Sequence, residues 1–287
     1  MDSPKGAVVI TGASTGIGAA CAVHLATLGF RVFAGVRKTA DGQALKGRVS
    51  GALTPLLLDV TDEASISRAA KEVDEAVGAT GLYGLVNNAG IVVAGPLEIL
   101  PLDELRKQLE VNVVGQLAVT QAFVPLLRRA RGRLVNVGSI SGRSASPALG
   151  PYAASKSALE ALTHALRVEL KPWGINVCLI EPGAVSTPIW EKSKAAGEEL
   201  ARRAPTEGHT LYAGLIAAVQ KAAGHAARRA MPVQIVAEVV AQALTTPKPK
   251  TRYVVGRDAK IQAAAAWLLP DRLRDRLLAK VLRLPGG

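Results

Sequence analysis

Aromatic residues and cysteines are both scarce in this chain of 287 residues. Phe, Trp and Tyr make up only 3% of the sequence, which leaves little surface on which nucleic-acid bases could stack. The two cysteines, Cys21 and Cys178, lie far apart and outside any Cys-x-x-Cys pair, which excludes a disulfide framework and a thiolate metal site. We therefore expect no nucleic-acid partner, no metal and a reducing, cytoplasmic compartment.

Long apolar runs are also lacking, and the positive charge is unevenly placed. No run of about 18 uncharged apolar residues occurs, and no basic stretch with an apolar core opens the chain, so we expect neither a transmembrane helix nor a secretory signal. Apolar residues nevertheless make up 49% of the chain, enough for a sizeable core. Of the net charge of +12, residues 191–287 supply +9, with 17 basic and 8 acidic side chains.

Apolar, strand-like runs alternate with helical patterns along most of the chain. The predicted strands cover residues 7–11, 31–36, 53–58, 82–87, 133–138, 175–180 and 252–255. Predicted helices cover residues 16–28, 61–77 (with Thr61 as the N-cap), 102–130 and 151–170. Residues 191–232 are rich in Ala, Lys and Arg, and we expect mobile helices there. Strands without clean alternation, separated by helices, predict a parallel sheet covered on both faces.

A glycine-rich loop follows the first predicted strand. Residues 11–18 read Thr-Gly-Ala-Ser-Thr-Gly-Ile-Gly, between a strand and a helix. Glycine lets the backbone turn tightly and lets a phosphate approach, and the helix N-terminus offers unpaired N–H groups. A plain tight turn is the alternative. The candidate phosphate-binding residues are Gly12, Ser14, Thr15, Gly16, Ile17 and Gly18.

The end of the second predicted strand carries two basic residues, Arg37 and Lys38. An acidic residue at this place would bind a free ribose 2′-hydroxyl, whereas a cationic pair favours a 2′-phosphate. A solvated surface pair is the alternative. The pattern favours NADP(H) over NAD(H) as the cofactor.

Tyr152 and Lys156 stand four residues apart in a predicted helix and so share one face of it. A tyrosine with an ordinary pKa near 10 is a poor acid or base at neutral pH, and a neighbouring lysine cation favours its phenolate form. Ser139 follows the fifth predicted strand, at the sheet edge where ligands bind. Its hydroxyl could bind a substrate oxygen, although serine after glycine is also a routine turn residue.

Together these residues resemble the short-chain dehydrogenase/reductase family. The matching motifs, in family order over residues 5–190, are the loop at 11–18, Asp59-Val60, Asn87-Asn88-Ala89-Gly90, Asn112, Ser139, Tyr152 with Lys156, and Pro182-Gly183 followed by Thr187. The resemblance implies a Rossmann-type, doubly wound parallel sheet of seven strands in the order 3-2-1-4-5-6-7, with helices on both faces. It also implies a single domain over residues 1–287.

The resemblance further implies a role for each matching residue. Tyr152 would be the general acid or base, and Lys156 would lower its pKa and bind the nicotinamide ribose. Ser139 would hold the substrate oxygen, and Asn112 would support a proton relay to Lys156. Asp59 and Val60 would contact adenine. Other cofactor contacts would come from Asn88, Ala89 and Gly90 on the adenosine side, and from Pro182, Gly183, Val185 and Thr187 along the nicotinamide amide and pyrophosphate.

A finer resemblance, carried by residues 59–62 and 81–90, is to the retinol and hydroxysteroid dehydrogenase branch. That branch interconverts lipophilic alcohols and their carbonyls, although Arg37 departs from its NAD-using members. A reductase of 3-oxoacyl or other carbonyl substrates is an alternative. A non-catalytic NADP(H)-sensing protein on the same fold is another.

The last third of the chain provides two further segments. We expect residues 186–232 to form a substrate lid, in which Trp190 either faces an apolar substrate or packs beneath the lid. We expect residues 258–287 to form a basic amphipathic extension, because leucines recur there at helical spacing among arginines. This extension could cap the subunit, pack across the interface of a homodimer or homotetramer, or make peripheral contact with an anionic membrane.

Overall fold

Seven parallel strands form one sheet at the centre of the protein. The computed structural model describes residues 5–203 and 206–282. The strands are β1 (Ala7–Ile10), β2 (Arg31–Val36), β3 (Leu53–Leu57), β4 (Gly84–Asn87), β5 (Arg133–Val137), β6 (Asn176–Pro182) and β7 (Arg252–Val255). Their order is β3-β2-β1-β4-β5-β6-β7, and every neighbouring pair is parallel. The predicted Rossmann-type sheet and strand order are confirmed.

Helices cover both faces of the sheet and give it two apolar cores. They are α1 (Gly16–Thr27), α2 (Thr39–Lys46), α3 (Glu63–Val77), α4 (Leu102–Leu109), α5 (Gly115–Ala130), α6 (Gly150–Glu169), α7 (Ile189–Arg203), α8 (Thr206–Arg228), α9 (Val233–Thr245), α10 (Arg257–Leu268) and α11 (Asp271–Leu282). On one face Leu25 of α1 and Val240 of α9 join the core. On the other face Val73 of α3 and Phe123 of α5 do so. Strands buried on both faces explain the continuous apolar runs in the sequence.

The structure departs from the predicted helices at four places. The predicted N-cap Thr61 is wrong, because the Asp62 carboxylate accepts hydrogen bonds from the first-turn N–H groups of Ala64 and Ser65. Thr61 instead donates to Asp59. The predicted helix over 102–130 is interrupted between α4 and α5 by a π-helical turn, Glu110–Val114. Helix α2 has no predicted counterpart, because it buries only Gly42 and Leu45 and so shows little apolar periodicity. Helix α9 has none either, because the predicted helices of the lid end at residue 232.

One helical stretch in the described part of the chain, Leu102–Ala130, is long and apolar enough to cross a membrane by length and composition alone. Leu102 and Val114 are exposed, but other apolar side chains of the stretch have partners within the protein. Val119, Phe123 and Leu127 are buried in the core beneath the sheet, together with strand residues such as Leu85 and Leu134. This stretch therefore occupies the place of a core helix.

The segment between β6 and β7 consists of α7, α8 and α9. Two parts of the predicted segments, 204–205 of the lid and 283–287 of the extension, lie outside the described residues. Helix α9 packs against α1 and belongs to the main core. Helix α8 contacts both α7 and α11. The region that carries most of the excess positive charge is thus mainly helical.

Candidate active site

A cleft runs along the carboxyl edge of the sheet, where the loops after the parallel strands converge. Ligands of doubly wound folds bind along this edge. The predicted site residues that line the cleft are Gly12, Ser14, Thr15, Gly16, Ile17, Arg37, Asp59, Val60, Asn88, Ala89, Gly90, Tyr152, Lys156 and Thr187. Those that do not line it are Gly18, Lys38, Asn112, Ser139, Pro182, Gly183 and Val185.

The glycine loop between β1 and α1 has the form of an anion-binding turn. Gly12 and Gly16 have φ angles of +63° and +59°, a left-handed conformation that favours glycine. A Cβ at Gly18 would stand 2.5 Å from the Asn88 amide nitrogen and press against the Gly12 carbonyl. The N-cap Thr15 makes no side-chain capping bond, so the first N–H groups of α1 remain available to a phosphate. These residues fit the pyrophosphate of a dinucleotide.

Polar contacts fix the glycine loop to the loop after β4. The Asn88 side-chain amide donates to the carbonyl oxygens of Thr11, at 3.0 Å, and Gly12, at 3.1 Å. In return the Thr11 hydroxyl accepts from the backbone N–H groups of Asn88 and Ala89, each at 2.9 Å. Asn88 therefore supports the loop as well as lining the cleft.

The adenosine end of the cleft carries positive charge. Arg37 follows the last residue of β2, is exposed and lines the cleft. Lys38 is also exposed and stands at the N-cap of α2. Asp59 is held in place by the backbone N–H of Thr61, at 3.0 Å, and by its hydroxyl, at 2.8 Å. Asp59 accepts these bonds locally, and no ion pair to Arg37 occurs among the residues that the structure describes, so Arg37 presents its charge on the cleft wall.

Tyr152 and Lys156 occupy successive turns at the start of α6, next to the end of β5. The Lys156 side chain is buried, its Nζ donates to the Val137 carbonyl at 2.8 Å, and it lies 5.8 Å from the centroid of the Tyr152 ring. The Ser139 side chain lies within interaction reach of the Tyr152 phenol and lowers its pKa. The Ser139 hydroxyl also accepts from the N–H of Ser141 at 3.1 Å. The serine, tyrosine and lysine predicted from the sequence therefore lie together.

Burial dominates the titration of this group. It raises the pKa of Tyr152, and the Ser139 side chain lowers it in part. Burial also lowers the pKa of Lys156 to about 8. At neutral pH the phenol of the protein by itself is therefore protonated, the form that can donate a proton, and the lysine is still mostly charged. Lys156 is not among the causes of the Tyr152 shift, so its lowering of the tyrosine pKa stays a prediction.

Asn112 lies in the π-helical turn and is fully buried. Its side-chain oxygen accepts from the N–H of Ile91 at 2.9 Å, and its amide donates to the Ile91 carbonyl at 3.0 Å and to Ser155 Oγ at 3.1 Å. Asn112 thus ties the loop after β4 to the residue before Lys156. Gln108, one turn earlier, makes the same connection, because it bonds Val93 and Ile91 of the loop and donates to Ser155 Oγ at 3.4 Å.

Asp258 and Glu181 are site-supporting residues that the sequence analysis missed. Asp258, in the first turn of α10, accepts from the N–H of Ala184 at 2.8 Å, and its carboxylate fills the space beside Gly183. Glu181 is fully buried directly before Pro182 and accepts from Arg143 at 2.9 Å and Arg252 at 2.5 Å. Gln108 was also missed, although its position four residues before Asn112, on the same helical face, could have marked it. The contacts of Asp258 and Glu181 join distant parts of the chain and leave no local pattern in the sequence.

The segment after β6 is held on both sides. Val185 is buried and pairs with Met231 as an isolated bridge. The Trp190 indole donates to the Val185 carbonyl at 2.8 Å, a bond that fits the packing alternative for this tryptophan. Thr187 borders the cleft and packs close to Gly16. In the described parts of the chain, no group of three or more His, Cys, Asp or Glu side chains is arranged to hold a metal ion.

Comparison with known proteins accounts for these features together. Residues 6–198 match the family model described as short chain dehydrogenase. The chain is 37% identical to the NADPH-dependent 3-dehydrocapnine reductase of Ornithobacterium rhinotracheale, over 96% of each protein. It is 36% identical to retinol dehydrogenase 5 of Mus musculus, over 97% of this chain and 89% of that protein.

A crystal structure of a short chain dehydrogenase from Burkholderia cenocepacia in complex with NADP superposes with a TM-score of 0.72. The two chains are 26% identical, over 97% of this chain and 99% of the other. Hydroxysteroid dehydrogenases also match along most of this chain. The chain therefore belongs to the short-chain dehydrogenase/reductase family, near its retinol and hydroxysteroid dehydrogenase branch, and is an NAD(P)-dependent oxidoreductase of alcohol and carbonyl substrates.

Proposed function

We propose that this protein interconverts a lipophilic alcohol and its ketone or aldehyde, with NADP(H) as cofactor and Tyr152 as general acid and base. The observation that carries the proposal is the Ser139–Tyr152–Lys156 group at the cleft that the glycine loop also lines. Hydride transfer to a carbonyl requires a proton donor, a positive charge beside it and a site for the cofactor phosphates, and here the tyrosine, the lysine and the glycine loop supply them at one cleft.

The cofactor supplies the hydride, and the chain supplies its position. The pyrophosphate would bind at the glycine loop and the first turn of α1. Asp59, Val60, Asn88, Ala89 and Gly90 would hold the adenosine end, and Pro182, Gly183, Val185 and Thr187 the nicotinamide end. Arg37 on the cleft wall, with Lys38 beside it, would bind a 2′-phosphate through charge-assisted hydrogen bonds. The relative named as NADPH-dependent supports the same cofactor preference.

The remaining residues move one proton. In reduction, the Ser139 hydroxyl holds the substrate carbonyl oxygen, and the protonated Tyr152 phenol donates its proton to that oxygen. In oxidation, Tyr152 takes the proton of the alcohol. The charge of Lys156 stabilises the phenolate that is left, since its Nζ is buried near the ring. Asn112 positions the start of α6 through Ser155 and supports the return of a proton to Lys156.

Three observations support a lipophilic substrate. Ile91, Val111 and Ile189 line the cleft with apolar surface. The wall at residues 141–150 consists mainly of small residues, which offer few polar contacts. Two relatives are named for 3-dehydrocapnine and for retinol. We infer a substrate of steroid-, retinoid- or long-chain-like character.

We also propose that residues 186–232 act as a substrate lid on a single domain spanning 1–287, and that the protein forms a homodimer or homotetramer. Thr187, Pro188 and Ile189 border the cleft where α7 begins, and Tyr212 of α8 hydrogen-bonds Glu98. Many members of the family are oligomeric. We keep the cytoplasm as the predicted compartment, with which the free, buried cysteines Cys21 and Cys178 agree.

A substrate panel tests the proposed function. Purified protein is assayed with steroid, retinoid and 3-oxoacyl thioester carbonyls, each with NADPH and with NADH. We expect the highest kcat/KM with an apolar carbonyl and NADPH. Turnover of 3-oxoacyl thioesters alone would contradict the lipophilic substrate and support the 3-oxoacyl reductase alternative. Cofactor binding without turnover of any carbonyl would contradict an enzymatic role.

A further inference from the structure

The two C-terminal helices, α10 and α11, expose large apolar side chains that the proposed function does not use. On α10, Ile261 is 70% exposed, Trp267 84% and Leu268 65%. On α11, Val281 is 74% exposed, and Leu273 and Leu277 are exposed as well. Scattered single apolar residues are normal on a protein surface, but six large ones on two consecutive helices point to an interaction site. We call this set of six side chains the C-terminal apolar surface.

Basic residues lie beside the exposed apolar residues of α11, and acidic residues lie on the opposite face of the helix. At about 100° per residue, Leu273, Leu277 and Val281 fall within one sector of about 80°. The exposed bases Arg272, Arg276 and Lys280 flank that sector on one side, so they share the outward face with the leucines. Asp271 and Asp275 fall on the opposite face, and Asp271 is already paired with Arg274. The outward face of α11 is therefore both apolar and positively charged.

This arrangement excludes one occupant and disfavours another. The chain's own core does not cover these side chains, since all six are exposed in the folded subunit. In a two-fold dimer through this surface, each copy would present the same patch to the other. Arg272, Arg276 and Lys280 would then face an identical basic row, with the acidic residues turned away. Like charges brought together at an interface weaken it.

We propose that the C-terminal apolar surface docks the protein on an anionic lipid surface. Apolar side chains would enter the boundary between headgroups and acyl chains, with Trp267 at headgroup level, while the neighbouring bases meet anionic headgroups. Complementary charge distinguishes this occupant from a second copy of the chain. The proposal goes beyond the oxidoreductase activity, and binding to lipid can be measured without any substrate.

The two helices contact elements near the cleft, so docking on lipid would bring the lipid surface close to it. Helix α11 packs against α8, in the proposed lid. Asp258, the second residue of α10, holds the segment after β6 beside the cleft. A lipid surface bound by α10 and α11 would thus lie next to the elements that border the cleft, where a lipophilic substrate dissolved in that surface could enter.

Vesicle flotation with the full chain tests the proposal. Phosphatidylcholine vesicles are compared with vesicles that also contain phosphatidylglycerol, at low and high salt. We expect at least about tenfold tighter binding to the anionic vesicles, weakened by salt, because each basic residue near the surface adds attraction. Trp267 fluorescence should shift to shorter wavelength on binding, and the W267F protein should lose that shift.

Two variants separate the surface from bulk charge. R272E/R276E/K280E should bind anionic vesicles at least about tenfold more weakly than the unchanged protein. The matched control K46E/R48E/K71E changes net charge equally at exposed residues remote from α10 and α11, and it should bind as the unchanged protein does. Cofactor affinity should be the same in all three proteins, which verifies that they fold.

Three results would overturn the proposal. The first is equal binding to neutral and anionic vesicles. The second is equal loss of binding in both triple variants, which would indicate bulk charge alone. The third is a dimer, seen by sedimentation velocity without lipid, that R272E/R276E/K280E dissociates, which would assign the surface to a second copy.

Discussion

Replacing Lys156 by methionine should affect the free energy of unfolding more favourably at neutral pH than in alkali, when the variant is compared with the unchanged protein at the same pH. Burial lowers the pKa of Lys156 from its ordinary value of 10.5 to about 8. The folded protein therefore binds this proton more weakly than the unfolded chain does. The charged, buried lysine costs stability below pH 8, and the cost disappears as the pH rises through the interval from 8 to 10.5.

The size of the effect follows from the pKa difference. At about 1.4 kcal/mol per pH unit, a lysine whose pKa falls from 10.5 to about 8 costs the folded state about 3 kcal/mol at pH 7. Lys156→Met removes this cost, but it also removes the hydrogen bond to the Val137 carbonyl, and that loss destabilises the protein by about 1–3 kcal/mol. The second loss does not depend on pH. The pH dependence therefore isolates the first.

Denaturant unfolding of both proteins, without cofactor, at pH 7 and about pH 10 measures this. The free energy of unfolding of the unchanged protein should rise, relative to Lys156→Met, by about 2–3 kcal/mol over that interval. The comparison cancels the titration of groups that both proteins share. If the two free energies of unfolding run parallel with pH, burial does not lower the pKa of Lys156.

Three further predictions concern the cofactor cleft. Arg37→Asp should lower kcat/KM for NADPH by roughly 10–100-fold and leave that for NADH unchanged or improved, because it removes a charge-assisted contact; steady-state kinetics with both cofactors check this, and an equal loss with both would disprove it. Gly18→Ala should abolish dinucleotide binding and destabilise the protein by about 1–3 kcal/mol, since its Cβ would meet the Gly12 carbonyl and Asn88; calorimetric titration and thermal melting measure the two effects, and normal cofactor affinity would contradict the geometry. Asp258→Ala should raise the KM for cofactor severalfold by freeing the N–H of Ala184, and Asp258→Asn should restore most of it because the amide oxygen can still accept that bond; failure of the asparagine to rescue would show that the carboxylate acts in another way.

The sheet could be predicted because each strand carries its own signal. Strands buried on both faces read as continuous apolar runs, and the helices between them allow only parallel pairing. The glycine loop and the Tyr152–Lys156 spacing were legible for the same reason, since each is local in sequence. Helix α2 was missed because it buries too few side chains to produce periodicity.

The supporting contacts of the site could not be predicted, because they join distant parts of the chain. Asp258 reaches Ala184 across 74 residues, and Arg252 reaches Glu181 across 71. Nothing local marks either acidic residue as different from one on the surface. The exposure of Trp267 and Leu277 is also a tertiary result, because the same helical pattern would suit a helix packed on its own subunit.

The replacement of Tyr152 by phenylalanine tests the proposed chemistry most directly. Tyr152→Phe removes the phenolic proton and leaves the ring beside Lys156 and the glycine loop unchanged. The measurement is single-turnover reduction of the best carbonyl substrate, together with NADPH affinity by fluorescence titration. We predict that the rate falls by about 10²–10⁴-fold while the dissociation constant for NADPH changes little. A near-normal rate in this variant would contradict the assignment of Tyr152 as the proton donor.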